Sequence, residues 1–227
     1  MSGAILAQNS GMMTIMPTNC HLTRAIGALA FSSLLALPVA AGAQEPQPPS
    51  LQQLYEAGKY DGVLQRVAEE RAQERDVLES TFIAAQALRR LDQNERVLEE
   101  YRRLAASEDP AWQLIGRSGS ALEAGNTDEA LAAATEAVRA GTDLGFAHFQ
   151  LGLVHARRNT HAAAAESFAR AAELMPTFAY AHYYAGLSFQ RVQNINRMAA
   201  YFEAFLKLAP NAPERLAVMA IMRSVRG

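Results

Sequence analysis

The chain has 227 residues, half of them hydrophobic, with a formal charge of −2 at pH 7. That is long enough to bury a sizeable core. Mild acidity without a basic run argues against a nucleic-acid or anionic-membrane surface, and of the 21 basic residues only Lys59 and Lys207 are lysine.

Residues 1–43 read as a leader rather than as part of the fold. They hold no Asp or Glu, a single Arg (Arg24), an apolar run from Ala25 to Leu37, and then Pro38 and Ala41-Gly42-Ala43. A charged start, a short hydrophobic stretch and an A-x-A site make up a secretory signal peptide, with cleavage expected after Ala43. The run is too short for a comfortable membrane span of roughly 20 residues. Cys20, the one cysteine, precedes the run and leaves with it. The expected product is periplasmic or secreted, without disulfide or lipid anchor, and so without a stable membrane anchor once the signal is cut. Residues 44–50 (QEPQPPS) form a linker.

From Leu51 onward the pattern is helical, with no strand alternation and no hairpin dipeptide. The segment FAHFQLG, Phe146 to Gly152, aligns without gaps on Tyr180 to Gly186, YAHYYAG, at an offset of about 34 residues. Ala164, Phe168, Ala171 and Pro176 recur at the same offset as Met198, Phe202, Phe205 and Pro210, and an earlier copy carries Ala121, Gly125, Ala130, Ala134 and Ala137. Small residues at Gly152, Gly186, Ala164 and Ala171 let two antiparallel helices approach. Phe168 and Phe202 fill the space between units, and Pro176 and Pro210 stop each second helix. Asp76 with Glu79 and Asn211 with Glu214 read as capping boxes.

These residues resemble the tetratricopeptide repeat (TPR) family, whose helix–turn–helix unit reads W-x2-L-G-x2-Y, A-x3-F, A and P. The resemblance implies an all-α, right-handed TPR solenoid of about four and a half repeats. A partial first repeat spans 51–76, a degenerate one 77–110, and further repeats 111–144, 145–178 and 179–212. A capping helix over 213–227 carries Leu216, Met219, Ile221, Met222 and Val225. That helix is expected to pack on the last repeat, with a homodimer or partner contact through its apolar face as the alternative.

Catalytic signatures are missing: no H-E-x-x-H, G-x-S-x-G, Walker loop or dinucleotide turn. His148 and His182 stand where the family usually has Trp, and they read as structural rather than metal-ligating. The expectation is a non-enzymatic protein without metal or cofactor. In the family, front helices line a concave groove. The resemblance puts Trp112, Phe146 and Tyr180 in one ladder of groove positions and Ile115, Phe149 and Tyr183 in a second. Arg89, Arg157 and Arg191 make a third, interrupted by Glu123, while Gln150 and Tyr184 add polar tips. Such rungs would suit a peptide or protein partner with apolar side chains and a carboxylate, and bracing of one unit against the next is the other use of such aromatics. The Lys and Asn carboxylate clamp of chaperone-tail binders is absent from the matching slots. An exported scaffold or adaptor is therefore expected, or else a subunit of a cell-envelope assembly using its last helix or convex face.

Overall fold

A computed structural model describes residues 48–75 and 77–225. The signal peptide and most of the linker expected from the sequence lie outside the described residues. Regular structure among the described residues is entirely helical, and no helix there is long and apolar enough to cross a membrane.

The helices run in antiparallel pairs, each packed on the ones before and after it. The front helices are α1 (Leu51–Glu56), α3 (Leu78–Arg90), α5 (Pro110–Glu123), α7 (Gly145–Arg157) and α9 (Ala179–Arg191). Their partners are α2 (Tyr60–Ala72), α4 (Asn94–Ala105), α6 (Thr127–Ala140), α8 (His161–Leu174) and α10 (Ile195–Leu208), and α11 (Arg215–Ser224) closes the series.

The turn after each front helix is built the same way. A left-handed residue stands at Gly58, Asp92, Gly125, Asn159 and Gln193, with φ between 56° and 81°. The next amide donates back to a carbonyl in the last turn of the helix, as Gln93 does to Leu88 and Asn194 to Phe189. This is the Schellman closure. It makes the repeat visible even in 77–110, where the side-chain pattern is weak.

Within a pair, close approach depends on the missing Cβ. A methyl group at Gly152 would sit 2.7 Å from the Phe168 ring, and one at Gly186 would sit 2.5 Å from the Phe202 ring. Between pairs, Gly119 lies flat against Tyr101, where a Cβ would approach to 2.2 Å. Second helices stop at Leu174 and Leu208, ahead of Pro176 and Pro210.

Two capping expectations change. The first box falls on Asp76, which lies outside the described residues, and α3 is preceded by Val77, which makes no side-chain cap. The second box is not formed. Glu214 turns inward instead, 2.7 Å from Arg90 and accepting the Tyr180 hydroxyl at 2.8 Å, so α11 begins only at Arg215. A charge partner on α3 outcompetes a local backbone amide for that carboxylate.

The superhelix also closes on itself. Gly58, in the α1–α2 turn, abuts Pro213 before α11, where a Cβ would meet the ring at 2.7 Å. Tyr55 of α1 packs on Tyr180 and Phe178, with ring centroids 4.8 and 6.5 Å away. First and last repeats are thus in contact, and what an open solenoid would leave as groove is largely filled.

Candidate functional site

Because of that closure, the residues expected to line the groove divide into three groups. Trp112, Phe146, Phe149, Gln150 and Tyr180 are buried, which corrects the expectation of an open aromatic ladder. Phe82 of α3 reaches across the interior to Phe146 and Phe149, at 5.3 and 6.0 Å. Trp112 stacks obliquely on Phe146 at 5.4 Å. The rings interlock because α3 is pulled toward α7 and α9, which brings aromatic faces and edges into one apolar cluster. Gln150 is fully buried and donates from Nε2 to Ser118 Oγ at 3.2 Å, tying α7 to α5.

Tyr183 bridges the buried and the cleft residues, with its ring 5.8 Å from Tyr180 and 5.3 Å from Tyr184. Its ring is half-buried against Phe205 at 5.1 Å, and burial, with Glu214 adding to it, pushes its phenol up to about 12. Arg191 is exposed near the end of α9.

The third group is brought together. Arg89, Arg157 and Tyr184 line one cleft of about 540 Å3 on the inner side of the front helices. Leu98, Leu122 and Leu153 give it an apolar floor, and Asp92, Asn94 and Glu123 a polar rim. Arg89 is committed: its Nε donates to Glu123 at 3.0 Å and a terminal nitrogen donates to the Tyr101 hydroxyl at 2.9 Å. The Glu that interrupts the arginine ladder is therefore the partner of the arginine one repeat earlier, a signal that opposite charges in one register position could have provided. Arg157, by contrast, is exposed and makes no ion pair among the described residues. Tyr184 is held face-on by Phe168 at 5.2 Å. The cleft thus offers one free guanidinium beside apolar side chains and a braced phenol, the elements of a site for an acidic group next to an apolar one.

The histidines serve the turns. His148 Nε2 lies 3.0 Å from the Thr142 carbonyl and His182 Nε2 lies 3.1 Å from the Pro176 carbonyl, the same staple in successive repeats. Burial pulls the His182 and His155 imidazoles below their usual value. Among the described residues no three His, Cys, Asp or Glu side chains are grouped to hold a metal ion.

Helix pairs stacked at a constant offset, with side chains gathered on an inner cleft, define a helical-repeat solenoid. The fold is that of a tetratricopeptide-repeat (TPR) solenoid. It superposes on a thermophilic TPR protein of Thermus thermophilus with a TM-score of 0.55 and 20% identity, over 77% of this chain and 94% of that one. It is also similar to YrrB, a TPR protein with an unusual peptide-binding site (TM-score 0.47, 17% identity, 75% and 88% of the two chains). A third similar structure is the first TPR of Spaghetti bound to an HSP90 peptide (0.48, 19%, 53% and 93%). No protein-family model and no curated protein matches the sequence.

Proposed function

We propose that this chain is a non-enzymatic scaffold that holds a peptide or protein partner in the cleft between α3, α5, α7 and α9. The observation that carries the reading is Arg157: an exposed, unpaired guanidinium in a cleft that Leu122, Leu153 and Tyr184 also line, where it meets two more of the expected groove residues, Arg89 and Tyr184. The ligand chemistry that fits is a carboxylate-bearing segment with a neighbouring apolar side chain. The leader composition of residues 1–43 supports action outside the cytoplasm, in the periplasm or beyond. The test is affinity capture from an envelope extract with the wild-type chain and with Arg157→Glu. A specific partner lost with the variant supports the reading, and an identical set of captured proteins sinks it. N-terminal sequencing of the envelope-borne protein decides export, with Gln44 as the expected first residue.

One observation favours a second contact surface. Leu216 on α11 is 75% exposed, and next to it Leu206, Met219 and Met222 line a shallow apolar hollow between α10 and α11. Such a face suits assembly, with a second copy or with an envelope complex. Light scattering on Leu216→Asp against the parent separates an assembly surface from a plain cap.

A further inference from the structure

Helix α1 has six residues, too few to hold a helix in water on their own. It is helical because of what it touches, and much of that is far away in the chain. Gln52 donates to the Thr177 carbonyl at 2.6 Å and to Glu56 at 2.9 Å. The Glu56 carboxylate, 7% exposed, accepts the backbone N–H of Ala179 at 2.8 Å. Ala179 is the first residue of α9, whose own N-cap residue is Phe178, with no side chain able to accept. The missing cap is supplied from 123 residues away, at the end of the helix where negative charge is favoured. Beside it the Tyr55 ring lies on Tyr180 and Phe178.

The dependence is unequal. The seat is braced without α1, since Phe178 packs on Phe146 and Phe149 at 5.8 and 5.4 Å and Tyr180 packs on Phe205 at 5.9 Å. Away from the seat α1 keeps only its Ser50–Gln53 capping box and its packing on α2 and α3, with Tyr55 lying 5.7 Å from Tyr60, which puts so short a helix among the first segments to open. We propose that α1 is a displaceable plug, occupying in cis a seat on α9 that accepts a partner helix bearing an aromatic residue followed by a carboxylate. This deepens the scaffold reading and rests on it: the chain carries its own competitor, and apparent affinity for the partner falls by the fraction of molecules whose plug is open. The seat is distinct from the Arg157 cleft.

Two measurements on the full chain test it. By native-state hydrogen exchange in mild denaturant, the amides of α1 are expected to exchange at least tenfold faster than those of α9. Exchange of both only through global unfolding overturns the proposal. The second probe is a labelled synthetic peptide of residues 48–59, titrated by fluorescence anisotropy onto the parent and onto Glu56→Lys and Tyr55→Ala. At least tenfold tighter binding to the variants is expected, and none for a peptide with Ala in place of its Tyr. Equal binding to parent and variants overturns the proposal, and so does no binding to any of them. Loss of the helical repeats in Tyr55→Ala overturns it too, because a plug must leave its socket standing. An affinity that drops with Arg157→Ala would move the peptide to the cleft, which also removes the seat. Failure of the scaffold reading shows separately, in the capture experiment on Arg157→Glu.

Discussion

Removing the Glu214 carboxylate should loosen the contact between the ends of the superhelix. Glu214 pairs with Arg90 at 2.7 Å and accepts the Tyr180 hydroxyl at 2.8 Å, and its side chain is 12% exposed against 28% for Arg90. The Arg90 guanidinium also lies over the Tyr180 ring at 5.3 Å. Glu214→Ala leaves a largely buried cation without its anion and takes away the carboxylate that accepts the Tyr180 hydroxyl. Fully buried pairs broken in this way cost about 3–5 kcal/mol. Because Arg90 retains some solvent, about 2 kcal/mol is the reasonable figure. Glu214→Gln keeps an acceptor for Tyr180 and should cost about half as much. The assay is urea unfolding at neutral pH with a double-mutant cycle on Arg90→Ala and Glu214→Ala, where coupling of about 1 kcal/mol or more is expected between directly paired groups. Single-mutant losses below about 0.5 kcal/mol, the usual range for surface changes, would refute the closure as a stabilising contact.

Three further outcomes follow from the geometry. Gly152→Leu and Gly186→Leu should each cost about 2–4 kcal/mol, since even a Cβ collides with Phe168 or Phe202; urea midpoints equal to the parent's would refute the close helix pairing. Gln193→Gly should stabilise by about 0.5–1 kcal/mol, because Gln193 is exposed and holds φ at 60°, where a side chain is strained; a lower melting temperature would contradict it. Glu56→Gln should remove a pH dependence. Burial raises the Glu56 carboxyl above 4.5, outweighing the Ala179 and Gln52 hydrogen bonds that lower it, so the folded state holds this proton more tightly than the unfolded one. Its contribution therefore declines as pH rises from 4.5 through the raised value. The melting-temperature difference between variant and parent should grow over that window, and a flat difference would contradict it.

The repeat was legible because its determinants are local and periodic. Gly152 facing Phe168 and Gly186 facing Phe202 are intra-pair contacts, written into the chain at one spacing. Capping at Glu214 was not legible. A side-chain oxygen three residues from Asn211 satisfies the local rule equally well whether it bonds a backbone amide or a distant Arg90, and only the fold decides between them. The same holds for Ser50, which forms a capping box with Gln53 at the start of α1. The pattern S-x-x-Q was present in the sequence at the start of the partial first repeat, but the cap itself was not read from it.

The cleft was legible only in part, and the reason lies in what periodicity can encode. Register positions fix which side chains leave the front helices toward the inner face, so Arg89, Arg157 and Tyr184 do converge. Register does not fix the curvature of the stack. In an open superhelix the rings of Trp112, Phe146, Phe149 and Tyr180 would stand free. Here Phe82 and Tyr55 come in from the first two pairs and bury them. Phe82 stands ten residues before the left-handed Asp92, the register that Ile115, Phe149 and Tyr183 hold before theirs, whereas Tyr55 has no aromatic counterpart in the later units. The departure that brings the first pair onto the last is Tyr55, on Tyr180 and Phe178. The aromatic rungs were conditional on openness, whereas the free charge was not. A desolvated guanidinium needs a partner, and Arg89 has Glu123; an exposed one can wait for a ligand, and among the cleft's arginines that is Arg157.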